Sequence, residues 1–120
     1  MKQKKIGIIN RAATYGNTQG REALDLTLAL SAFNESLSVF FINDGVYQLL
    51  INQHPEHILQ KNFSPLFKML SLYEVNNIYV CAEALRQRNL HVSDLLIDVC
   101  ILDKAQLIQK LAEQNQLLSF

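Results

Sequence analysis

Cys81 is the residue whose type and position most favour chemistry. It directly follows residues 78–80, a short β-branched and aromatic run that predicts a buried strand, and it precedes residues 82–88, which predict a helix. Ligands of parallel α/β sheets collect outside the carboxyl ends of the strands, and a helix N-terminus favours thiolate over thiol. Cys81 is therefore the candidate catalytic nucleophile. The alternative is a small buried apolar side chain, the usual state of a free cysteine.

The charged residues of the predicted helix act on that chemistry in opposite directions. Arg86 and Arg88 offer positive charge that would favour a Cys81 thiolate, whereas the Glu83 carboxylate would disfavour it. Cys100 differs from Cys81 because it lies in the apolar run 99–102, which predicts a strand and a buried, structural side chain. Sulfur chemistry is therefore expected at Cys81 alone.

The loop 14–18, Thr-Tyr-Gly-Asn-Thr, lies between the first predicted strand and the first predicted helix. Its backbone N–H groups could cradle a phosphate, and its composition resembles the phosphate loop of flavodoxins, which bind FMN. The favoured alternative is that glycine and hydroxyl residues serve the turn and the helix cap. No cofactor is expected, because the chain shows neither aromatic loops to sandwich a flavin nor an acidic surplus.

The three histidines, His54, His57 and His91, do not form a metal-ligand set. His54 and His57 are three residues apart, but no cysteine or carboxylate is spaced to complete a site with them. We interpret all three as surface residues and expect no metal.

Composition indicates one globular domain over residues 1–120. Of the 120 residues, 49% are hydrophobic and 18% charged, which is enough apolar material for a core and argues against disorder. The formal net charge of zero gives no electrostatic footprint for nucleic acid, and it leaves little repulsion against protein partners. Two cysteines are too few for a disulfide framework, and no stretch approaches membrane-spanning length. We therefore expect a cytoplasmic protein without direct contact to nucleic acid or membrane.

Strand and helix patterns alternate along the chain, which favours an α/β fold with a mostly parallel sheet. About five strands would make a flavodoxin-like three-layer sandwich whose strand order the sequence leaves open. The predicted strands cover residues 5–10, 37–42, 78–80, 95–102 and 116–120, and the predicted helices cover 21–33, 46–50, 82–88 and 104–113, with a further helix beginning at Ser64.

The stretch 39–51 is apolar through its predicted turn, Asn43-Asp44-Gly45. Core packing explains it, and so does an exposed patch used for subunit contact. The sequence favours neither explanation over the other.

Three stretches carry a resemblance to a known family. They are residues 16–25, with a small-Gly-Arg-Glu-x-Leu-Asp pattern, residues 39–50, and residues 79–88 around Cys81, joined by the ending 117–120. The chain resembles the DsrE/DsrF-like sulfur-relay proteins over essentially its whole length, most closely their DsrF-type (TusC-type) subunits. The run Phe-Phe-Ile-x-Asp-Gly-Val-x-Gln-Leu is its most specific part.

This resemblance implies a heterohexamer of three related subunits, two copies each, with TusB-like and TusD-like siblings. Persulfide sulfur would arrive from an upstream carrier and pass to a downstream carrier, ending in 2-thiolation of the wobble uridine of tRNA. DsrEFH relatives serve sulfur oxidation instead.

The resemblance also bears on Cys81. It implies that the transferring cysteine belongs to the DsrE-type sibling, at the position that Cys81 matches here. Glu83 stands where that active subunit has small residues, and Asn89 replaces the glycine that ends its helix. We therefore expect an accessory subunit. The rivals are an independent sulfurtransferase acting through Cys81 and a flavodoxin-like electron carrier.

Overall fold

The computed structural model describes residues 4–11, 19–31, 36–49, 75, 77–95 and 98–120. The predictions for loop 14–18, for the helix beginning at Ser64, and for His54 and His57 lie outside these residues. The strands are β1 (Lys5–Asn10), β2 (Ser36–Phe41), β3 (Asn77–Cys81), β4 (Cys100–Leu102) and β5 (Gln116–Ser119). The α-helices are α1 (Gln19–Ser31), α2 (Ala82–Gln87) and α3 (Lys104–Ala112), and the 3₁₀ helices are η1 (Asn43–Leu49) and η2 (Val92–Asp94).

The five strands form one parallel sheet in the order β4-β3-β2-β1-β5. The longest pairing joins β1 to β2, from Lys5 opposite Ser36 to Asn10 opposite Phe41. The predicted α/β class with a sheet of about five parallel strands is confirmed. This order places β5 beside β1. In flavodoxin the corresponding place beside the first strand is taken by that protein's own third strand.

The connections divide the helices between the two faces of the sheet. From β1 to β4 the chain steps in one direction across the sheet, and it then returns to reach β5. Because such crossovers are right-handed, α1 and α2 lie on one face and α3 on the other. We call the α1 and α2 side the packed face and the α3 side the open face.

The packed face holds the main hydrophobic core. Alternate residues of the three central strands point to it, because successive side chains of a strand point to opposite sides. Residues of α1, η1 and α2 complete the same cluster. The cluster contains Ile6, Ile8, Ala23, Leu37, Val39, Phe41, Val46, Leu49, Val75, Ile78, Val80, Ala84, Leu85 and Leu95.

The open face is covered more thinly. Phe40 is fully buried there and stacks on Tyr79 with ring centroids 5.3 Å apart, while the Lys110 ammonium of α3 lies 5.9 Å from the Tyr79 ring centre. No residue of α3 is buried, and Ile108 is 56% exposed.

Within the stretch 39–49, Val39, Phe40, Phe41, Val46 and Leu49 are all buried. Core packing therefore accounts for the apolar character of this part of the chain. The predicted helix 46–50 is instead the 3₁₀ helix η1, which already begins at Asn43.

The fourth strand corrects two predictions. It spans only Cys100–Leu102 instead of residues 95–102, and Cys100 is exposed, so its interpretation as a buried structural side chain is wrong. The cause is position in the sheet. Among the described strands β4 lies at the edge of the sheet and pairs with β3 alone, and Cys100 is its first residue.

Candidate functional site

Cys81 lies where the sequence places it, at the carboxyl end of β3 and directly before α2. It is half-buried and packs against the core of the packed face, with Leu102 of β4 opposite it in register. As the residue preceding α2, it has extended backbone angles but makes no side-chain capping hydrogen bond. The thiol is thus partly accessible at the sheet edge where α/β proteins bind ligands.

The first cation of α2 is directed to a carboxylate on its own helix. Arg86 donates hydrogen bonds to Glu83 through Nε and Nη2, and Gln87 donates a further one to the same carboxylate. The hydrogen bond from Arg86 and then its positive charge hold the pKa of Glu83 below its ordinary value, and the same pair raises the pKa of Arg86. Both groups are exposed, so the pair is local to the helix surface.

The second cation connects α2 to the turn after β2. Arg88 donates from Nε and Nη2 to Asp44 Oδ1, at 3.1 and 2.8 Å, and from Nη1 to the Ala84 carbonyl at 3.1 Å. Its guanidinium carbon lies 5.8 Å from the centre of the Tyr47 ring. The Arg88 side chain is only 17% exposed, so it is an internal link between η1 and α2.

These contacts show that neither arginine is directed to Cys81 alone. Each guanidinium is compensated by a carboxylate, Glu83 for Arg86 and Asp44 for Arg88. The two positive charges that were expected to favour a Cys81 thiolate are therefore balanced by the carboxylates of Glu83 and Asp44. The link from Arg88 to Asp44 spans 44 residues, and no sequence spacing could have revealed it.

Backbone contacts fix the turn that carries Asp44. Asn43 adopts a left-handed conformation with φ of 49°, and a Cβ on Gly45 would stand 2.0 Å from the Asn10 carbonyl oxygen. Asn10 is buried and donates its side-chain N–H to the Phe40 carbonyl at 3.3 Å. The carboxyl ends of β1 and β2 are thereby locked to η1, and Gly45 is required at its position.

The other end of α2 opens a shallow depression on the surface. Ala82, Leu85, Leu90 and Ile101 contribute its apolar lining, and His91 also faces it. Asn89 ends the helix with φ of 56°, a left-handed conformation that asparagine tolerates. Ala82 joins this depression to Cys81.

No metal site is formed by the residues that the structure describes. His91 is exposed, as predicted, and takes part in capping η2, with its backbone N–H bonded to Asp94 at 2.8 Å. No group of three histidine, cysteine, aspartate or glutamate side chains comes together within the described ranges. Within them there is also no helix of the length and apolar character that crossing a membrane demands.

Comparison with known proteins finds one family model and relatives that share a single name. The sequence model of the DsrE/DsrF-like family matches residues 4–120. The Protein TusC homolog of Vibrio parahaemolyticus is 46% identical over 110 residues, which are 92% of this chain and 93% of the relative. The Protein TusC homolog of Aliivibrio fischeri is 40% identical over 116 residues, 97% of this chain and 98% of the relative.

Solved structures agree with the fold. The crystal structure of the YchN protein from E. coli superposes with a TM-score of 0.83 at 25% identity, covering 98% of this chain and all (100%) of that one. The protein MTH1491 from Methanobacterium thermoautotrophicum shares the fold with a TM-score of 0.63 at 14% identity, covering 99% of this chain and 100% of that one.

Proposed function

Because this chain belongs to the DsrE/DsrF-like family, we propose that it is a TusC-type accessory subunit of a cytoplasmic sulfur-relay complex. The complex passes persulfide sulfur for 2-thiolation of the wobble uridine in tRNA. Identity of 40% with a TusC homologue over 97% of the chain supports the place in the relay. In the assembly, TusB-like and TusD-like siblings surround the chain in a heterohexamer, and carriers deliver and remove sulfur through the complex.

The accessory role rests on one observation about the site. Arg86 of α2 and Arg88, directly after α2, are both engaged by carboxylates, and the thiol is half-buried against the core. A sulfur carrier needs an accessible thiolate that is favoured by neighbouring positive charge. Cys81 therefore serves the packing at the end of β3, and the transferring cysteine lies on a sibling subunit.

The test replaces Cys81 in the complete complex. In a strain that lacks the native copy, Cys81→Ser is expected to leave assembly intact and 2-thiolation of tRNA nearly unchanged. Cys100→Ser is the matched control, since it removes the exposed thiol of the same chain. Native mass spectrometry of the affinity-purified complex reports assembly, and mass analysis of tRNA nucleosides reports thiolation. Severe loss of thiolation from an intact Cys81→Ser complex would assign sulfur transfer to Cys81.

Further measurements separate the rival functions. An independent sulfurtransferase would purify without siblings, and its Cys81 would be alkylated with a half-point near neutral pH. A DsrEFH-type subunit would assemble with siblings while tRNA thiolation persists in a strain deleted for the whole complex. A flavodoxin-like carrier would purify yellow or take up added FMN.

A further inference from the structure

The two arginines that follow Cys81 differ in how far water screens their charge. The Arg86 side chain is 76% exposed and its partner Glu83 is exposed as well, whereas the Arg88 side chain is only 17% exposed. Interactions between exposed charges are weakened by water and salt, and those of partly buried charges are weakened much less. Arg88 is therefore the cation whose charge can act on the thiol over a distance.

The Arg88 side chain folds back along α2 towards the strand end that carries Cys81. Its Nη1 donates to the carbonyl of Ala84, which follows Cys81 by three residues, at 3.1 Å. Since β2 and β3 are neighbours in the sheet, the turn with Asp44 also leaves its strand beside Cys81. Neighbouring strands are about 5 Å apart and each residue adds about 3.4 Å, so both charges lie on the order of 10 Å from the thiol.

Asp44 compensates the charge of Arg88 with well-formed hydrogen bonds. Nε and Nη2 of the guanidinium both donate to Asp44 Oδ1, at 3.1 and 2.8 Å, and the Tyr47 ring lies against the same guanidinium. Hydrogen bonds between two charged groups are about twice as strong as those between neutral groups, so this pair stays formed. The pair therefore presents no net charge to Cys81.

We propose that Asp44 is the residue that keeps Cys81 out of the sulfur relay, because its carboxylate cancels the positive charge of Arg88. The proposal rests on the accessory role proposed above and names the residue that enforces it. A Cys81 thiolate would attack the outer sulfur of a persulfide, so that Cys81 takes up this sulfur and the donor departs as a thiolate. By disfavouring the thiolate, Asp44 prevents the diversion of sulfur to this subunit.

Asp44→Asn tests the proposal with the smallest change of shape. Asparagine keeps an oxygen that accepts the hydrogen bonds from Arg88, but it carries no negative charge. In the purified full chain at neutral pH, we expect Cys81 to react with iodoacetamide about three- to tenfold faster, the effect of one unit charge at this distance. Mass spectrometry of the alkylated peptides gives the rate, and the exposed Cys100 at the amino end of β4 is the internal reference.

Arg88→Gln separates the effect of charge from that of packing. It leaves the Asp44 carboxylate uncompensated, so Cys81 should react more slowly than in the unaltered chain. A loosened α2 would instead expose the thiol and speed the reaction in both single variants. The double variant Asp44→Asn/Arg88→Gln should return the rate to near its original value. Asp98→Asn, which removes an exposed carboxylate near the amino end of β4, is the matched control and should change the rate less than about twofold.

Three results would overturn the proposal. They are an unchanged rate in Asp44→Asn, a faster reaction in Arg88→Gln, and a difference between the variants that persists undiminished in about 1 M salt, which screens charges. The relay function is tested separately, by tRNA thiolation in the complete complex. Loss of thiolation in Cys81→Ser would refute the accessory role, whereas unchanged alkylation in Asp44→Asn would refute only the role of Asp44.

Discussion

The two faces of the sheet hold their helices by different means. On the packed face, α2 has only 6 residues and no side-chain cap at its N-terminus, yet its Ala84 and Leu85 are buried in the core. On the open face, α3 has 9 residues, a reciprocal capping box between Asp103 and Gln106, and no buried residue. Tertiary burial fixes the first helix, and local hydrogen bonds fix the second.

The same difference between the two faces applies to the surroundings of Cys81. Cys81 begins the helix that the core fixes, and the Arg88 link to Asp44 ties that helix to the turn after β2. The open face, by contrast, keeps apolar side chains such as Ile108 in solvent.

The largest expected effect comes from removing one core ring on the packed face. Phe41 is fully buried, so Phe41→Ala should lower the free energy of unfolding by about 3–5 kcal/mol. Leu107→Ala, at a half-buried position of α3, should cost about 1 kcal/mol. Urea denaturation of the two variants provides the measurement. Similar losses would mean that the faces do not differ in packing.

A second pair of variants adds a methyl group on each face. Gly45→Ala drives its Cβ into the Asn10 backbone, which cannot move away, and should cost about 3 kcal/mol. Gly7→Ala meets the side-chain ends of Leu117, Gln114 and Phe40 at 2.7 to 3.1 Å. Since Leu117 is partly exposed and free to shift, we expect a loss of about 1 kcal/mol. Thermal unfolding is the measurement, and a larger loss of stability in Gly7→Ala than in Gly45→Ala would contradict the comparison of the two positions.

Removal of the α3 cap tests the open face more directly. Asp103 Oδ1 accepts the Gln106 N–H at 2.8 Å, so Asp103→Ala should destabilise the helix by about 1 kcal/mol. The matched variant Cys81→Ala removes no capping bond from α2, and amide exchange in α2 should stay slow. If exchange in the first turn of α3 were unchanged by Asp103→Ala, the cap would not be what holds that helix.

The smallest effect concerns the exposed pair of Glu83 with Arg86. The folded state holds the pKa of Glu83 below the ordinary 4.5, so its stabilising contribution exists above that value and is lost as the pH falls through the lowered pKa. Glu83→Gln should therefore narrow the stability difference between neutral and acidic pH, by an amount that salt reduces. Denaturation across that pH range, at low and high salt, is the measurement. A variant that is destabilised equally at all pH values would contradict the ionic explanation.

Local patterns in the sequence predicted much of this fold. The predicted helix 104–113 and the position of Cys81 at the end of a strand follow from residue types and near neighbours, and the structure confirms a helix from Lys104 and Cys81 at the end of β3. Each depends on hydrogen bonds or backbone angles within a few residues. Such features need no knowledge of the rest of the chain.

Features that depend on distant neighbours were not predicted. Cys100 has apolar neighbours in sequence, but its exposure is decided by the place of β4 at the edge of the sheet. The partner of Arg88 and the order of the strands are likewise set by contacts between remote segments. The role of Cys81 stays a prediction, because it depends on the chemistry of the assembled complex.

The placement of β5 beside β1 has a consequence for how the chain is made. Asn115, next to β5, bonds Lys5 of β1 across 110 residues, so this pairing requires nearly all of the intervening polypeptide to be synthesised first. On the ribosome β1 is made long before β5, so the backbone N–H and C=O groups on one of its edges have to wait for β5 as their strand partner. Contacts between such remote segments form slowly and leave strands open to aggregation meanwhile. We therefore expect the nascent chain to be most prone to aggregation during this interval.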